Sequence, residues 1–151
     1  MIQQPDISVY SPDNKLQLIV EVKNKKEATP EWAAKMRRNL AVHSIVPYSS
    51  YFLLALPDHF YLWKNTEIDI DERLPDYTAN SKLILEPYLK NSNHMDAMNE
   101  YSLELIVNSW LNKMVTANLT KETIKEQEAW VLDSGLYDSI KHGHIKTESK
   151  I

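Results

Sequence analysis

Cysteine is absent from this chain of 151 residues. That excludes disulfide frameworks, zinc–thiolate sites and cysteine nucleophiles. Glycine is almost absent, with 2 residues, and proline is limited to 7. Collagen-like and low-complexity chains are therefore ruled out, and no glycine-rich loop is present to cradle a phosphate. There is no G-x-S-x-G elbow either. No apolar run reaches the length needed to span a bilayer, so neither a membrane helix nor a membrane partner is expected. The opening residues, Met1-Ile2-Gln3-Gln4-Pro5-Asp6, lack the basic and apolar regions of a secretory signal, so a cytoplasmic location is expected.

What is present is an ordinary globular composition, 43% hydrophobic and 25% charged. A chain of this length buries a core without a disulfide or structural metal. A single domain over residues 1–151 is expected. The net charge of −4 is unevenly spread: residues 1–40 hold seven Lys/Arg and five Asp/Glu, and residues 41–151 hold ten and sixteen. An acidic body argues against nonspecific coating of nucleic acid. A local basic patch can still hold a phosphate backbone at one face.

The pattern along the chain predicts an α/β fold. Ile7 to Tyr10 alternates as a short strand, Ser11-Pro12-Asp13-Asn14 is a dense turn signal, and Leu16 to Lys23 is a second strand. Together they predict an antiparallel hairpin. Alternation places Leu16, Leu18, Val20 and Val22 on one face, and Gln17, Ile19, Glu21 and Lys23 on the other. Thr29 as N-cap and Pro30 at the first helical position predict a helix to about His43, with Trp32, Ala33, Met36 and Leu40 as its apolar stripe. Tyr51 to Leu56 reads as a buried strand, reached by a right-handed crossover. His59 to Lys64 returns as another strand. Residues 1–64 thus predict a small mixed sheet with one crossover helix.

Residues 65–96 read as an acidic connection with short helical turns. Residues 97–134 read as two helices, the first capped by Asp96 and the second by Thr120. Leu103, Ile106, Val107, Trp110 and Met114 line the first, with Ser134-Gly135 closing the second. The polar tail from 141 to 151 is expected to be loose.

One constellation carries chemistry. Asp6 opens the first strand of the hairpin and Glu21-Val22-Lys23 closes the second. The start of one hairpin strand lies beside the end of its partner, so Asp6 and Glu21 are expected side by side. Adjacent carboxylates repel unless something positive compensates them, and a hard divalent cation does so through oxygen ligands. Lys23, two residues after Glu21, projects from the same face.

Pro5-Asp6 with Glu21-Val22-Lys23 resembles the signature of the PD-(D/E)XK nuclease superfamily. The resemblance covers roughly residues 5–64. It implies a restriction-endonuclease-like core, here with added C-terminal helices, and a metal-dependent endonuclease hydrolysing DNA phosphodiesters in restriction, repair or mobile-element defence. It further implies Mg²⁺, or Mn²⁺ as substitute, held by Asp6, Glu21 and the Val22 carbonyl, with Lys23 assisting the attacking water. The expected product carries a 5′-phosphate and a 3′-hydroxyl. Lys25, Lys26, Lys35, Arg37 and Arg38 are candidate phosphate contacts, which give affinity but not sequence choice. The chain also departs from the pattern: the superfamily core places a helix and a strand before the Asp-bearing strand, and only five residues precede Asp6 here. A non-catalytic binding or assembly module on the same sheet is therefore the second reading. An apolar sheet face left uncovered is an association site, so a homodimer is expected. The tract His142-Gly143-His144 reads as a surface feature, and His43 and His59 as a helix-end and a strand-edge residue.

Overall fold

The computed structural model describes residues 5–43, 49–66, 71–89 and 98–148. The hairpin forms as expected: β1 (Ile7–Tyr10) pairs antiparallel with β2 (Leu16–Val22). Asn14, at φ 71°, turns the chain between them, a conformation asparagine tolerates because its short side chain bonds locally. The alternation fails at one point. Val9 pairs with Leu18 but Tyr10 pairs with Leu16, so the register slips by one residue. The bulge turns Leu16 over to pack with Ile19, away from the face of Leu18 and Val20.

α1 (Pro30–His43) begins where its caps place it. The Thr29 Oγ1 accepts the Trp32 N–H at 3.1 Å, satisfying one of the free donors of the first turn. The helix returns the chain to β3 (Tyr51–Ala55), which lies parallel to β2. β4 (His59–Lys64) then pairs antiparallel with β3.

The acidic connection holds an edge strand, β5 (Tyr77–Asn80), that the sequence pattern does not announce. A short helix α2 (Ser81–Leu85) and a single 3₁₀ turn at Glu86–Tyr88 follow. Asp96 lies outside the described residues. The cap of α3 (Glu100–Thr116) is Asn99, whose side chain accepts the Ser102 N–H at 2.8 Å. The helix expected after Thr120 is broken. Thr120 heads only a turn, a 3₁₀ turn follows at Glu126–Glu128, and α4 covers just Ala129–Asp133. Gly135, at φ +83°, ends it and opens α5 (Leu136–Ile140).

The described part of the tail, residues 141–148, is not loose. His144–Thr147 form β6, antiparallel to β1, and the sheet order is β5-β4-β3-β2-β1-β6. Polar composition hid this strand. An edge strand bonds through its backbone, and here only Ile145 packs on the core while His144, Lys146 and Thr147 face water.

The sheet separates two apolar clusters. One face packs Leu18, Val20, Leu53 and Leu62 against α3, α4 and α5, with Trp110 and Trp130 stacked 5.9 Å apart. The other packs Ile19, Phe52, Leu54 and Trp63 beneath α1. The C-terminal helices thus cover the face expected to be open, and that ground for a dimer falls. Among the described residues no helix is long and apolar enough to cross a membrane.

Candidate metal and nucleic-acid site

The pairing of Ile7 with Val20 sets Asp6 opposite Glu21, one residue beyond the first strand. Two main-chain bonds fix Asp6. Its Oδ2 accepts the Val22 N–H at 2.8 Å, and its carbonyl accepts the Glu148 N–H at 3.1 Å. Glu148 thereby becomes the neighbour of Asp6 on the β6 side, a position concealed by the polar tail in the sequence.

Glu21 shares the α1 face of the sheet with Ile19 and is only 3% exposed. Its carboxyl is pushed up to about 8. Burial is the largest cause, followed by the charge of Asp6. The Lys23 ammonium pulls in the opposite direction and loses. A side-chain hydrogen bond joins Glu21 to Asp6, so at neutral pH the Glu21 carboxyl retains its proton. Lys23 is half-buried, and its N–H is held by the Ala55 carbonyl at 3.1 Å. The hairpin therefore brings Asp6, Glu21 and Lys23 together, as their spacing predicts.

Two hard oxygen donors converge here, and a proton sits where a cation would relieve the same repulsion. That donor chemistry suits Mg²⁺ or Mn²⁺. Among the described residues, no three His, Asp or Glu side chains come close enough to share a metal ion. A cation here would have two protein carboxylates, Asp6 and Glu21, to hold it.

The segment after Lys23 is pinned from both sides. The Asn24 N–H meets the Glu100 Oε1 at 3.0 Å, its side-chain amide meets the Met98 carbonyl at 3.2 Å, and the Glu27 N–H meets the Asp58 Oδ2 at 2.8 Å. Tyr61 closes it, its hydroxyl donating to the Ala28 carbonyl at 2.6 Å. Of the candidate phosphate contacts, Lys25, Lys26, Lys35 and Arg38 are exposed. Lys25 places its ammonium 5.7 Å from the centre of the Trp32 ring.

Arg37 does not belong with them. It is 3% exposed, its guanidinium lies 5.8 Å from the Trp63 ring centre, and it donates to the Asp71 carbonyl at 3.1 Å. It is a packing residue of the α1 face, fixed by a ring from β4 that helix spacing cannot reveal. Asp69, an acidic residue of the connection, lies outside the described residues. His142-Gly143-His144 forms the turn into β6, where a side chain at Gly143 would fall 1.9 Å from the Tyr10 carbonyl oxygen.

His59 was legible only as a strand-edge residue. It stacks on Tyr61 at 5.5 Å, and its Nδ1 lies 3.3 Å from the Asp58 Oδ1. The signal in the sequence was Asp58-His59 astride a tight turn.

Family models, curated proteins and solved structures were each compared with the chain, and none matches.

Proposed function

We propose that the chain is a metal-dependent endonuclease acting on DNA phosphodiesters. The observation that supports this most is the contact of Asp6 with Glu21 at the end of the hairpin, with Lys23 beside them. Asp6 and Glu21 would hold the cation, together with the Val22 carbonyl. When bound, a divalent cation neutralises charge on phosphoryl oxygens. Lys23 would orient the attacking water and oppose the charge that develops on the phosphate. Lys25, Lys26, Lys35 and Arg38 would take the flanking phosphates. The test is cutting of plasmid DNA with Mg²⁺ or Mn²⁺. Asp6→Ala, Glu21→Ala and Lys23→Ala should each lower the rate by about a hundredfold or more. Cutting that survives all three changes defeats the assignment.

A specific observation favours a second reading, the non-catalytic module. The carboxyl pair is already compensated by a shared proton, and Glu21 is nearly sealed from solvent. Such a pair is content without a cation. Titrating Mg²⁺ while following backbone amides separates the two readings. Shifts at Asp6, Glu21 and Val22 favour the nuclease, and silence at millimolar metal favours the module. A homodimer goes with the nuclease reading, since two active centres serve two strands. Tyr101 and Leu105, exposed one turn apart on α3, are a candidate contact. Sedimentation that shows a single species near 17.6 kDa removes it.

A further inference from the structure

On the sheet face opposite the carboxyl pair, a cavity of about 110 Å³ opens between α2, the end of α3 and the segment that follows it. Ile84, Met114, Leu119 and Ile124 give it apolar walls. Cavities of roughly 150 Å³ admit a six-carbon ring. This one takes a group of roughly four or five heavy atoms, with more of the molecule at the mouth.

The polar groups are unusual for so small a space. Glu128 lines the cavity at 8% exposure, and its Oε1 accepts the Trp110 indole N–H at 2.8 Å. Among the described residues that carboxylate has no cationic partner. A buried carboxylate held by one neutral donor is under-compensated. Tyr88 stands in the same wall, its phenol pushed up by burial and by the Glu128 charge. Lys113 and Lys125, both exposed to solvent, line the cavity as well, and among the described residues neither forms an ion pair. The cavity thus presents one buried carboxylate without a cationic partner among the described residues, two solvent-exposed ammonium groups free of ion pairs, and an apolar floor.

We infer that this cavity binds a small zwitterion of the α-amino-acid type with a short branched apolar side chain. The ammonium donates to Glu128, the carboxylate meets Lys113 and Lys125, and the side chain fills the space between Ile84, Met114, Leu119 and Ile124. An amine alone forgoes the contact with the lysines, and a carboxylic acid alone forgoes the contact with Glu128. The site is separate from the carboxyl pair and does not depend on the nuclease reading.

The Trp110 indole N–H is a built-in reporter, because its hydrogen-bond acceptor would be shared with the ligand. Adding L-valine to the whole ¹⁵N-labelled chain should shift that signal saturably, with the backbone amides of Leu119 and Ile124, in the millimolar range. Isobutylamine and isovalerate should each bind at least about tenfold more weakly, each lacking one charge-assisted contact. Glu128→Gln should weaken valine by about the same factor. Lys125→Met, a change at the cavity edge, keeps the test open if Glu128→Gln fails to fold, and should weaken valine and isovalerate but not isobutylamine. No saturable shift with valine overturns the inference. Equal binding of the amine or the acid overturns the zwitterion assignment, and unchanged affinity in Lys125→Met does the same.

Discussion

At the scale of single residues, the Asp6–Glu21 pair makes stability depend on pH. The Glu21 carboxyl rises from its ordinary 4.5 to about 8 on folding, so the native state holds a proton that the unfolded chain releases. The contribution is fully present below about 4.5 and is lost as pH rises through about 8. Urea denaturation across that range should show stability falling by a few kcal/mol, on the order the shift implies. Glu21→Gln should flatten the profile, and an unchanged slope in that variant would assign the effect elsewhere. A second residue-scale expectation concerns His59. Its Nδ1 and the Asp58 Oδ1 are buried, lie 3.3 Å apart, and neither has a hydrogen-bond partner. A proton on Nδ1 would give each atom the other as its nearest complementary group. Long-range ¹H–¹⁵N spectra should report the Nδ1–H tautomer of the neutral ring, and the Nε2–H form would contradict this geometry. The pairing of Asp6 with Glu21 was readable because a hairpin turns sequence distance into register. Arg37 was not readable, because three cationic residues on one helix look alike until a Trp63 ring selects one of them.

At the scale of elements, legibility followed local strength. β2 and β3 are dense in branched and apolar residues, and α1 carries its own cap and N-terminal proline, so each was visible in isolation. β6, with exposed His144, Lys146 and Thr147, offers the core only the single side chain of Ile145 and is held mainly through the backbone of β1. The bulge at the end of the hairpin was invisible for a related reason, since alternation cannot count an unpaired residue. Gly143 makes β6 testable. A methyl group there would meet the Tyr10 carbonyl oxygen at 1.9 Å and the Ile140 carbonyl oxygen at 3.0 Å. Gly143→Ala should therefore displace β6 and cost about 3 kcal/mol in denaturant melts, within the range of strained backbone substitutions. Amide exchange should quicken in β1 before β3. Uniform exchange across the sheet would mean that β6 is not what protects β1.

At the scale of the whole molecule, two cores share one sheet but are unequal. The larger joins Phe60, Trp110 and Trp130 in a ring cluster, with Phe60 and Trp110 centred 5.1 Å apart. Trp110 is wholly buried and also carries the hydrogen bond to Glu128. Trp110→Phe should cost about 2–3 kcal/mol, since it strands the Glu128 carboxylate as well as leaving space. Trp32 is the half-buried tryptophan of the smaller core, and Trp32→Phe should change stability by less than about 1 kcal/mol. Equal losses in the two variants would contradict the ranking of the cores. Overall architecture was only half legible in the sequence: the crossover and its neighbouring strands could be placed, but not which elements would cover the second face.

The pairing of Ile7 with Thr147 also governs the order in which the sheet is completed. A contact between residues 140 positions apart closes a very long loop, and such contacts form late and slowly. While the polypeptide is being synthesised, β1 can pair with β2 almost at once, but its other edge stays open until residue 147 is available. During that interval the backbone of β1 is a ready template for another chain, and the nascent protein is most exposed to misassembly just before its sheet closes.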